Sequence, residues 1–540
     1  MRESGFPEIP EYLVSQAMQR IKHPSKTDEH GGAIRAVEAL DWTWRVCRTL
    51  REALGRDDFW SNVVFTGNVG NKATTLSSVS ETRATVPQPV LAQLGHAVIA
   101  ECLEDKLNDF SRIHQLDGLV LGVGRGGQVQ DIFTAASQVL EVGRDRHDRA
   151  AIAIADIKAH HDTVRYSSLA AGLLHRNIPL PIVSAAIRLH RMPAVRLRVM
   201  SGMTAPIART RALHTGALTA GMLARVTVED AILWCFERWS QRDVGIALAS
   251  GRLAIMSWSD NLFTFSTTIA RAVHMQRDLE KALETLHHLA IKPSSREVMH
   301  AAAVPYEARE ITDRWGTSWQ LLPDCRILGP TITCNGSTAK DLATACGAIR
   351  GCYIRNARFL SNLRVPIAKR LQRLDAVAHG ILRARAAAWP PCRTTAETLD
   401  RLQHQLLSWM LRVRPLDGET AQQYGMRKAR AMAGVAQSQW SQIHLEACIS
   451  WLSHLQRHPL SPAARAQATQ DSSWVDEQRD ANTTGSGVTR TNTRKGVAKV
   501  FRWDQLSWTV NYSPHGTRDK KEFRRLAQGL LGSLNVKVRQ

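Results

Sequence analysis

Residues 255–265 spell IMSWSDNLFTF, in which two short runs of strand-forming residues flank the polar corner Ser-Trp-Ser-Asp-Asn. This pattern predicts a β-hairpin. Asp260 lies at the corner, where two strands hold it and solvent can still reach it. Such a carboxylate suits Mg²⁺, which takes only one or two protein carboxylates and fills its other positions with water and phosphates. The alternative for the hairpin alone is an ordinary Asx-type turn.

A second acidic residue, Asp156, ends the run RAAIAIADI (149–157), whose small and β-branched residues predict a buried strand. A carboxylate at the end of a buried strand should be paired, metal-bound or protonated. The next segment predicts a helix. Its adjacent His160 and His161 cannot face the same way, so we predict that they are surface or loop residues rather than a metal pair.

The composition favours a globular protein with a polyanionic partner. The chain has 540 residues, which is enough for about three or four domains. Because 44% of the residues are hydrophobic and only 22% are charged, most of the chain should be globular. A net charge of +21 and a pI near 10.1 favour nucleic acid first and an anionic membrane second. No apolar run is long enough to span a membrane, and the N-terminus lacks a signal-peptide pattern. The nine cysteines form no CxxC pair, so we expect a reducing compartment and no structural zinc site.

Helical and strand patterns alternate along the first two thirds of the chain. Residues 59–65 (FWSNVVF) predict a strand, and Pro89–Phe110 predicts a helix with proline at its start. The glycines of LVLGVGRGG (119–127) do not have the spacing of a nucleotide-binding loop, so we predict a flexible loop. From about residue 338 the pattern is helical and rich in arginine.

The order of these elements resembles the reverse transcriptase domain of LINE-type (non-LTR) retrotransposons over roughly residues 55–455. The order and spacing of several blocks are more specific than any single block. The blocks are IAIADIKAHHDTV (152–164), RTRALHTGALTAG (209–221), SWSDN (257–261), LAIKPSSREVM (289–299) and RILGPTI (326–332), with ETRATVPQPVLAQLGHAVIAECL (81–103) and QLDGLVLGVGRGGQVQDI (115–132) upstream.

This resemblance implies an α+β fold of the polymerase right-hand type, with fingers, a palm containing an antiparallel sheet, and a helical thumb. It implies an RNA-directed DNA polymerase (reverse transcriptase) that uses two-metal nucleotidyl transfer with Mg²⁺ or Mn²⁺. The implied partners are an RNA template, a DNA primer and deoxynucleoside triphosphates, with no membrane. The sequence does not indicate the oligomeric state.

The resemblance also implies site residues and domains. The catalytic residues would be Asp156, Asp260 and Asn261, with Asp156 and Asp260 as metal ligands. The nucleotide-binding residues would be Lys72, Arg83, Arg211 and Gly216. The regions are a helical N-terminal segment (1–58), a fingers-like region (59–150), a palm-like region (151–335), a helical thumb-like region (336–458), a disordered linker (459–498) and a basic C-terminal module (499–540).

Several positions depart from the pattern of the family, including His160 and His161 after the first Asp, and three of them bear on catalysis. Asn261 replaces the second Asp of the hairpin and removes one negative charge, Thr215 replaces a nucleotide-contacting Gln, and Ser295 replaces a Lys. These changes imply weakened or absent catalysis, so the sequence leaves open whether the protein is an enzyme. Because the sequence begins shortly before the fingers block, we expect a truncated or domesticated element copy without an upstream endonuclease domain.

Two other hypotheses remain at this stage. One is a catalytically inactive nucleic-acid-binding protein that keeps the polymerase fold and its basic cleft. The other is an unrelated α/β protein whose positive charge is only a solvated surface. We expect an intracellular compartment, and a nuclear one if the protein is active.

Overall fold

A computed structural model describes residues 6–21, 43–56, 59–60, 63–71, 82–85, 88–116, 118–122, 127–145, 150–199, 202–239, 244–248, 251–389, 393–435 and 438–469. The basic C-terminal module predicted at 499–540 lies outside these residues. Among the helices that are described, none is long and apolar enough to cross a bilayer.

The first elements are mainly helical. They are α1 (Glu11–Gln19), α2 (Thr43–Gly55), β1 (Val64–Asn71), β2 (Thr82–Thr85), α3 (Val90–Ile113), β3 (Val120–Leu121) and α4 (Val129–Asp145). The helix predicted at Pro89–Phe110 is present as α3, but Pro89 is its N-cap rather than its first residue. The strand predicted at 59–65 instead begins at Val64. Trp60 is buried and its indole N–H donates to the carbonyl of Ala53 at 2.8 Å, so this part of the chain folds back on α2.

The middle of the chain contains most of the strands. Its elements are β4 (Ala151–Asp156), α5 (His160–Thr163), α6 (Tyr166–His175), α7 (Leu180–Arg191), β5 (Ala194–Val199), β6 (Gly202–Met203), α8 (Leu218–Trp239), β7 (Ile246–Ala247), β8 (Arg252–Leu253), β9 (Ile255–Trp258), β10 (Asn261–Ser266), α9 (Ile269–His287), β11 (Glu297–His300), β12 (Arg309–Thr312), β13 (Ser318–Leu321), β14 (Asp324–Arg326) and β15 (Thr331–Thr333).

The fold mixes helices with mixed sheets. Among the described residues, the largest sheet has seven strands in the order β12-β13-β11-β4-β10-β9-β3. The antiparallel sheet predicted for this region is therefore only partly correct. The central pairs β11–β4, β4–β10 and β10–β9 are antiparallel, but β3–β9 and β11–β13 are parallel. Parallel partners need a long crossover, and the chain between β3 and its parallel partner β9 contains the helices α4 to α8.

The boundary predicted at residue 150 is crossed by two pairs of strands. The strand β1 pairs with β5 in a second sheet, ordered β2-β1-β5-β6, and β3 pairs with β9 in the seven-stranded sheet. Each of the two sheets therefore contains strands from both the fingers-like and the palm-like region.

The strand β4 is buried on both faces, which explains its nearly continuous apolar sequence. On one face, Ala151 and Ala153 join a cluster with Ala272 and Val273 of α9. Small alanine side chains let a helix pack closely on this face. On the other face, Ile152 and Ile154 belong to the main hydrophobic core. Only Asp156, at the end of the strand, is polar and partly exposed.

The C-terminal part is helical, as predicted. Its elements are α10 (Ala339–Arg355), α11 (Ala357–Leu360), α12 (Ile367–Ala384), α13 (Arg393–Leu411), α14 (Ala421–Ala433) and α15 (Trp440–Arg457). Asp341 joins this region to the strands: its carboxylate accepts from the N–H of Thr331 at 2.9 Å and from Trp389 Nε1 at 2.9 Å.

The linker predicted at 459–498 is wrong at its start. Residues 462–469 are helical, and Ala463 and Ala466 are buried. The two alanines are three residues apart and so lie on one face of the helix. Because they are small, the segment lacks the large apolar residues by which a packed helix is usually recognised in sequence. The rest of the predicted linker, from residue 470, lies outside the described residues.

The prediction that His160 is a surface or loop residue is wrong. The ring is 1% exposed rather than on the surface, and its Nε2 lies 2.9 Å from Thr227 Oγ1. The Thr227 hydroxyl donates to the carbonyl of Ala224, so the ring N–H donates to Thr227. Burial lowers the pKa of His160 to about 3, helped by its neighbours His161 and His287. His160 is therefore a neutral core residue at the start of the short helix α5.

Arg176 forms a buried ion cluster between α6 and α8. Its guanidinium donates to Asp230 Oδ1 at 2.6 Å and to Glu229 Oε2 at 3.1 Å, and it lies 4.2 Å from the centre of the Phe110 ring. Burial alone would raise the pKa of Asp230, but His287 and Arg176 lower it below its ordinary value. Arg176 therefore bridges Glu229 and Asp230, which Arg225 and His287 also contact.

We expect Arg176→Met to lower the free energy of unfolding by about 3 kcal/mol, because it removes the buried cation that bridges Glu229 and Asp230 and leaves only Arg225 and His287 beside them. The matched control is Arg112→Met, since Arg112 is 75% exposed and its pair with Asp109 should contribute about 1 kcal/mol or less. Urea unfolding of both variants measures the difference. Equal losses would contradict the structural role given to Arg176.

We also expect His160 to make stability depend on pH. Because its folded pKa lies below the unfolded value near 6.5, the unfolded chain binds the proton first as pH falls. The contribution to stability is complete above about pH 6.5 and is lost towards pH 3, by about 1.4 kcal/mol per pH unit. Denaturant unfolding between pH 7 and 5 should show a shallower slope for His160→Gln than for wild type. The exposed His114 provides the control His114→Gln, and equal slopes in all three proteins would contradict the prediction.

Candidate active site

The hairpin predicted at residues 255–265 is present. The strands β9 and β10 are antiparallel, and Trp258 pairs with Asn261 across a two-residue loop of Ser259 and Asp260. Ser259 has a φ of 55°, which is the sign that a type II′ hairpin turn needs at its first loop position. The backbone of this corner therefore adopts a left-handed conformation at a residue other than glycine, and Asp260 follows directly.

The strand β4 brings Asp156 to the same corner. Asp156 is the register partner of Asn261 on β10. Side chains at opposed positions lie on the same face of a sheet, with Cβ atoms about 4.5–5.5 Å apart. The N–H of Ile157 donates to the carbonyl of Asp260 at 2.8 Å, so the pairing continues into the turn. Asp260 Oδ1 lies 3.4 Å from Asn261 Nδ2. The three residues predicted as catalytic therefore meet at one corner of the sheet.

A 3₁₀ turn, Pro293–Ser295, holds the end of β4 from the other side. The N–H of Asp156 donates to Ser295 Oγ at 2.9 Å, and the N–H of Lys292 donates to the Asp156 carbonyl at 2.9 Å. The Ser295 hydroxyl donates to the Lys292 carbonyl at 2.7 Å. These bonds close a ring around the backbone of Asp156. Ser295, which stands where the resemblance implies a lysine, therefore positions Asp156, and nothing in the sequence signals this contact.

The donor set at the corner fits a magnesium or manganese ion with few protein ligands. Asp156 and Asp260 supply two carboxylates, and Asn261 supplies a neutral amide. Within the described ranges, no group of three or more His, Cys, Asp or Glu side chains has the arrangement of a metal site. Two carboxylates are nevertheless what Mg²⁺ takes when water and phosphates complete its shell.

The structure describes three of the four residues predicted to bind nucleotide. Lys72 lies outside the described residues, and Arg83 lies in β2 opposite Gly70. Arg211 is exposed and forms an isolated bridge with Arg165. Gly216 precedes α8 with a φ of 96°, a conformation that disfavours other residues. The structure therefore explains Gly216 by its backbone conformation.

Comparisons with known proteins do not assign this chain to a family. No family model matches it, and no curated protein matches it. Among solved structures, telomerase from Candida albicans in complex with the TWJ fragment of telomeric RNA is similar at 8% identity and a TM-score of 0.37, covering 73% of this chain and 66% of that one. Apo telomerase from Candida tropicalis, truncated from its C-terminal domain, is similar at 8% identity and a TM-score of 0.35, covering 50% of this chain and 53% of that one.

The chain therefore spans just under two thirds of the first telomerase chain and about half of the second. At these TM-scores the likeness is too weak to identify a family.

Proposed function

We propose that this protein is a reverse-transcriptase-like nucleotidyltransferase of retrotransposon origin, with a weakened active site. The observation that carries the proposal is the register of β4 and β10, which sets Asp156 opposite Asn261 and brings Asp260 to the same corner. Two acidic residues distant in sequence meet at a strand end and a hairpin turn, as the resemblance to non-LTR reverse transcriptases implies. The right-hand arrangement of fingers, palm and thumb belongs to this proposal.

Asp156 and Asp260 would hold Mg²⁺ or Mn²⁺. Such ions, when bound, activate an attacking hydroxyl and neutralise charge on the transferring phosphates. The contribution of the chain is to fix its two carboxylates. Asp156 is fixed by its bonds to Ser295 and Lys292, and Asp260 by the turn and by the N–H of Ile157. A rigid arrangement reduces the reorganisation that catalysis would otherwise require.

Asn261 is the feature that weakens this site. An amide carries no charge, so the corner has two negative charges where a third carboxylate would make three. The attraction for divalent cations falls accordingly, since hard cations prefer charged oxygen ligands. We therefore expect slow rather than robust catalysis, with stronger activity in Mn²⁺ than in Mg²⁺ because Mn²⁺ binds protein ligands more tightly.

The proposed substrates are a DNA primer on an RNA template and deoxynucleoside triphosphates. Support comes from the net charge of +21 and from exposed cationic side chains on the helices after residue 339. Such side chains grip phosphate backbones without reading sequence. The exposed cations on α10, α11, α12 and their connections include Arg355, Arg358, Arg364, Lys369, Arg373 and Arg383.

A second candidate function is nucleic-acid binding without catalysis. It is favoured by Asn261 together with Ser295, whose hydroxyl serves the backbone of Asp156 and supplies no positive charge. Both candidates predict binding to an RNA–DNA hybrid that weakens as salt increases. Only the first predicts metal-dependent chemistry at the corner.

Primer extension on an RNA template distinguishes the two functions. We expect slow extension by wild type in Mn²⁺, loss of extension by a factor of at least about 100 in Asp260→Ala, and faster extension in Asn261→Asp. Asp417→Ala, at an exposed position outside the corner, is the control and should extend like wild type.

Binding of a labelled RNA–DNA hybrid is measured on the same four proteins. Retained binding with no extension in either wild type or Asn261→Asp would support the inactive binding protein instead. Equal extension by wild type and Asp260→Ala would contradict the proposed site.

A further inference from the structure

A pocket of about 540 Å³ lies beyond the candidate active site, where the chain leaving β4 meets the segment before α8. Its charged lining consists of four guanidinium groups and no carboxylate: Arg165, Arg191, Arg209 and Arg211. Tyr166, Ser167 and Thr210 complete it. The pocket therefore concentrates positive charge from three separate parts of the sequence.

The pocket is held together by backbone and phenol contacts. Arg165 and Arg211 form an antiparallel bridge, and the N–H of Ala212 donates to the carbonyl of Val164 at 3.0 Å. The hydroxyl of Tyr166 lies 2.8 Å from the carbonyl of Ala212 and 3.1 Å from that of His190. Burial raises the pKa of Tyr166 to about 12, so the phenol stays neutral and does not offset the arginines.

These arginines form no ion pair in the described part of the chain, although the charge of Asp162 acts on Arg209. Within the described part of the chain, none of the four guanidinium groups has a hydrogen bond or an ion pair. Arg209 Nη1 is fully buried and without a hydrogen-bond partner. Burial lowers the pKa of Arg209, opposed by Tyr166 and by the charge of the exposed Asp162. A buried donor without a partner costs free energy, so this guanidinium is held at the pocket at some expense to stability.

The helix α6 adds its N-terminus to the pocket. This ten-residue helix begins at Tyr166, and its N-cap residue, Arg165, provides no side-chain cap. The first N–H groups of an uncapped helix are free to bind an anion, and the helix dipole favours negative charge there. The unpaired arginines and the uncapped helix end both favour an anion in the pocket.

The arginines continue as an exposed line towards the second sheet. Arg196 and Arg198 alternate on one exposed face of β5, which follows Arg191 after a short turn. The N–H of Ile207 donates to the carbonyl of Val195 at 2.9 Å, so the segment leading to Arg209 runs beside β5. A single small anion would need only the pocket, whereas a nucleic-acid strand would use both the pocket and this line.

We propose that this pocket binds the terminal phosphate of a nucleic-acid strand whose backbone lies along the arginines of β5. The proposal rests on the proposed function only in taking a strand as the bearer of the phosphate. A terminal phosphomonoester carries up to two negative charges and three free oxygens, whereas an internal phosphodiester carries one charge and two free oxygens. The terminal group therefore matches four guanidinium groups and a helix end better.

The test compares two single-stranded oligonucleotides of one sequence, one with a 5′-phosphate and one with a 5′-hydroxyl. Fluorescence anisotropy measures their affinity for the full chain. We expect a preference of about tenfold for the phosphorylated strand, and its loss in the double variant Arg165→Gln/Arg211→Gln. These two side chains are exposed, so the double variant should fold. Arg309→Gln, at an exposed position on the edge strand β12, is the control and should keep the preference.

Further arms identify the source of the phosphate and separate this proposal from the polymerase. Inorganic phosphate at millimolar concentration should reduce the preference. Asp260→Ala should keep it, because the pocket does not depend on the catalytic corner. Equal affinity for both strands in wild type, or a preference that survives in the double variant, would overturn the proposal. So would a nucleoside 5′-monophosphate that binds as tightly as the phosphorylated strand, since the site would then serve a free nucleotide.

Discussion

The pairing of β4 with β10 is the constraint on which the candidate site depends. A slip of one residue would move every side chain of β4 to the opposite face and separate Asp156 from the corner. The two faces of β4 make such a slip costly. Alanines face α9 and leave room for the helix, whereas Ile152 and Ile154 fill the main core beside Phe263 and Phe265. The core that stabilises the sheet thus also fixes the geometry of its acidic corner.

Contacts from outside the hairpin complete this arrangement. The bonds of Ser295 and Lys292 to the backbone of Asp156 keep the end of β4 from fraying. Asp341 likewise joins the helical C-terminal region to β15, because its carboxylate accepts hydrogen bonds from the N–H of Thr331 and from Trp389 Nε1. Buried polar groups of this kind stabilise only when every partner is present, so these contacts fix one arrangement of the elements.

Local patterns in the sequence predict much of this fold and part of its site. The buried strand ending at Asp156 and the hairpin at Asp260 both follow from short-range alternation and turn residues. The burial of His160 could not be predicted, because its ring contacts Thr227 on a helix that is 67 residues away in sequence. The pairing of Arg165 with Arg211 and the bond from Asp156 to Ser295 likewise join segments distant in sequence. Such contacts leave no periodic pattern, and parallel pairing of β3 with β9 is hidden for the same reason.

Binding of Mn²⁺ to the full chain tests most directly whether Asp156 and Asp260 form one metal site. Electron paramagnetic resonance of free Mn²⁺ gives the number of bound ions and their dissociation constants. We predict that Asp156→Asn and Asp260→Asn each weaken binding by at least about tenfold, that Asn261→Asp strengthens it, and that Asp417→Asn leaves it unchanged. Binding that is equally tight in wild type and in both Asp variants would show that the corner is not a metal site and would contradict the account.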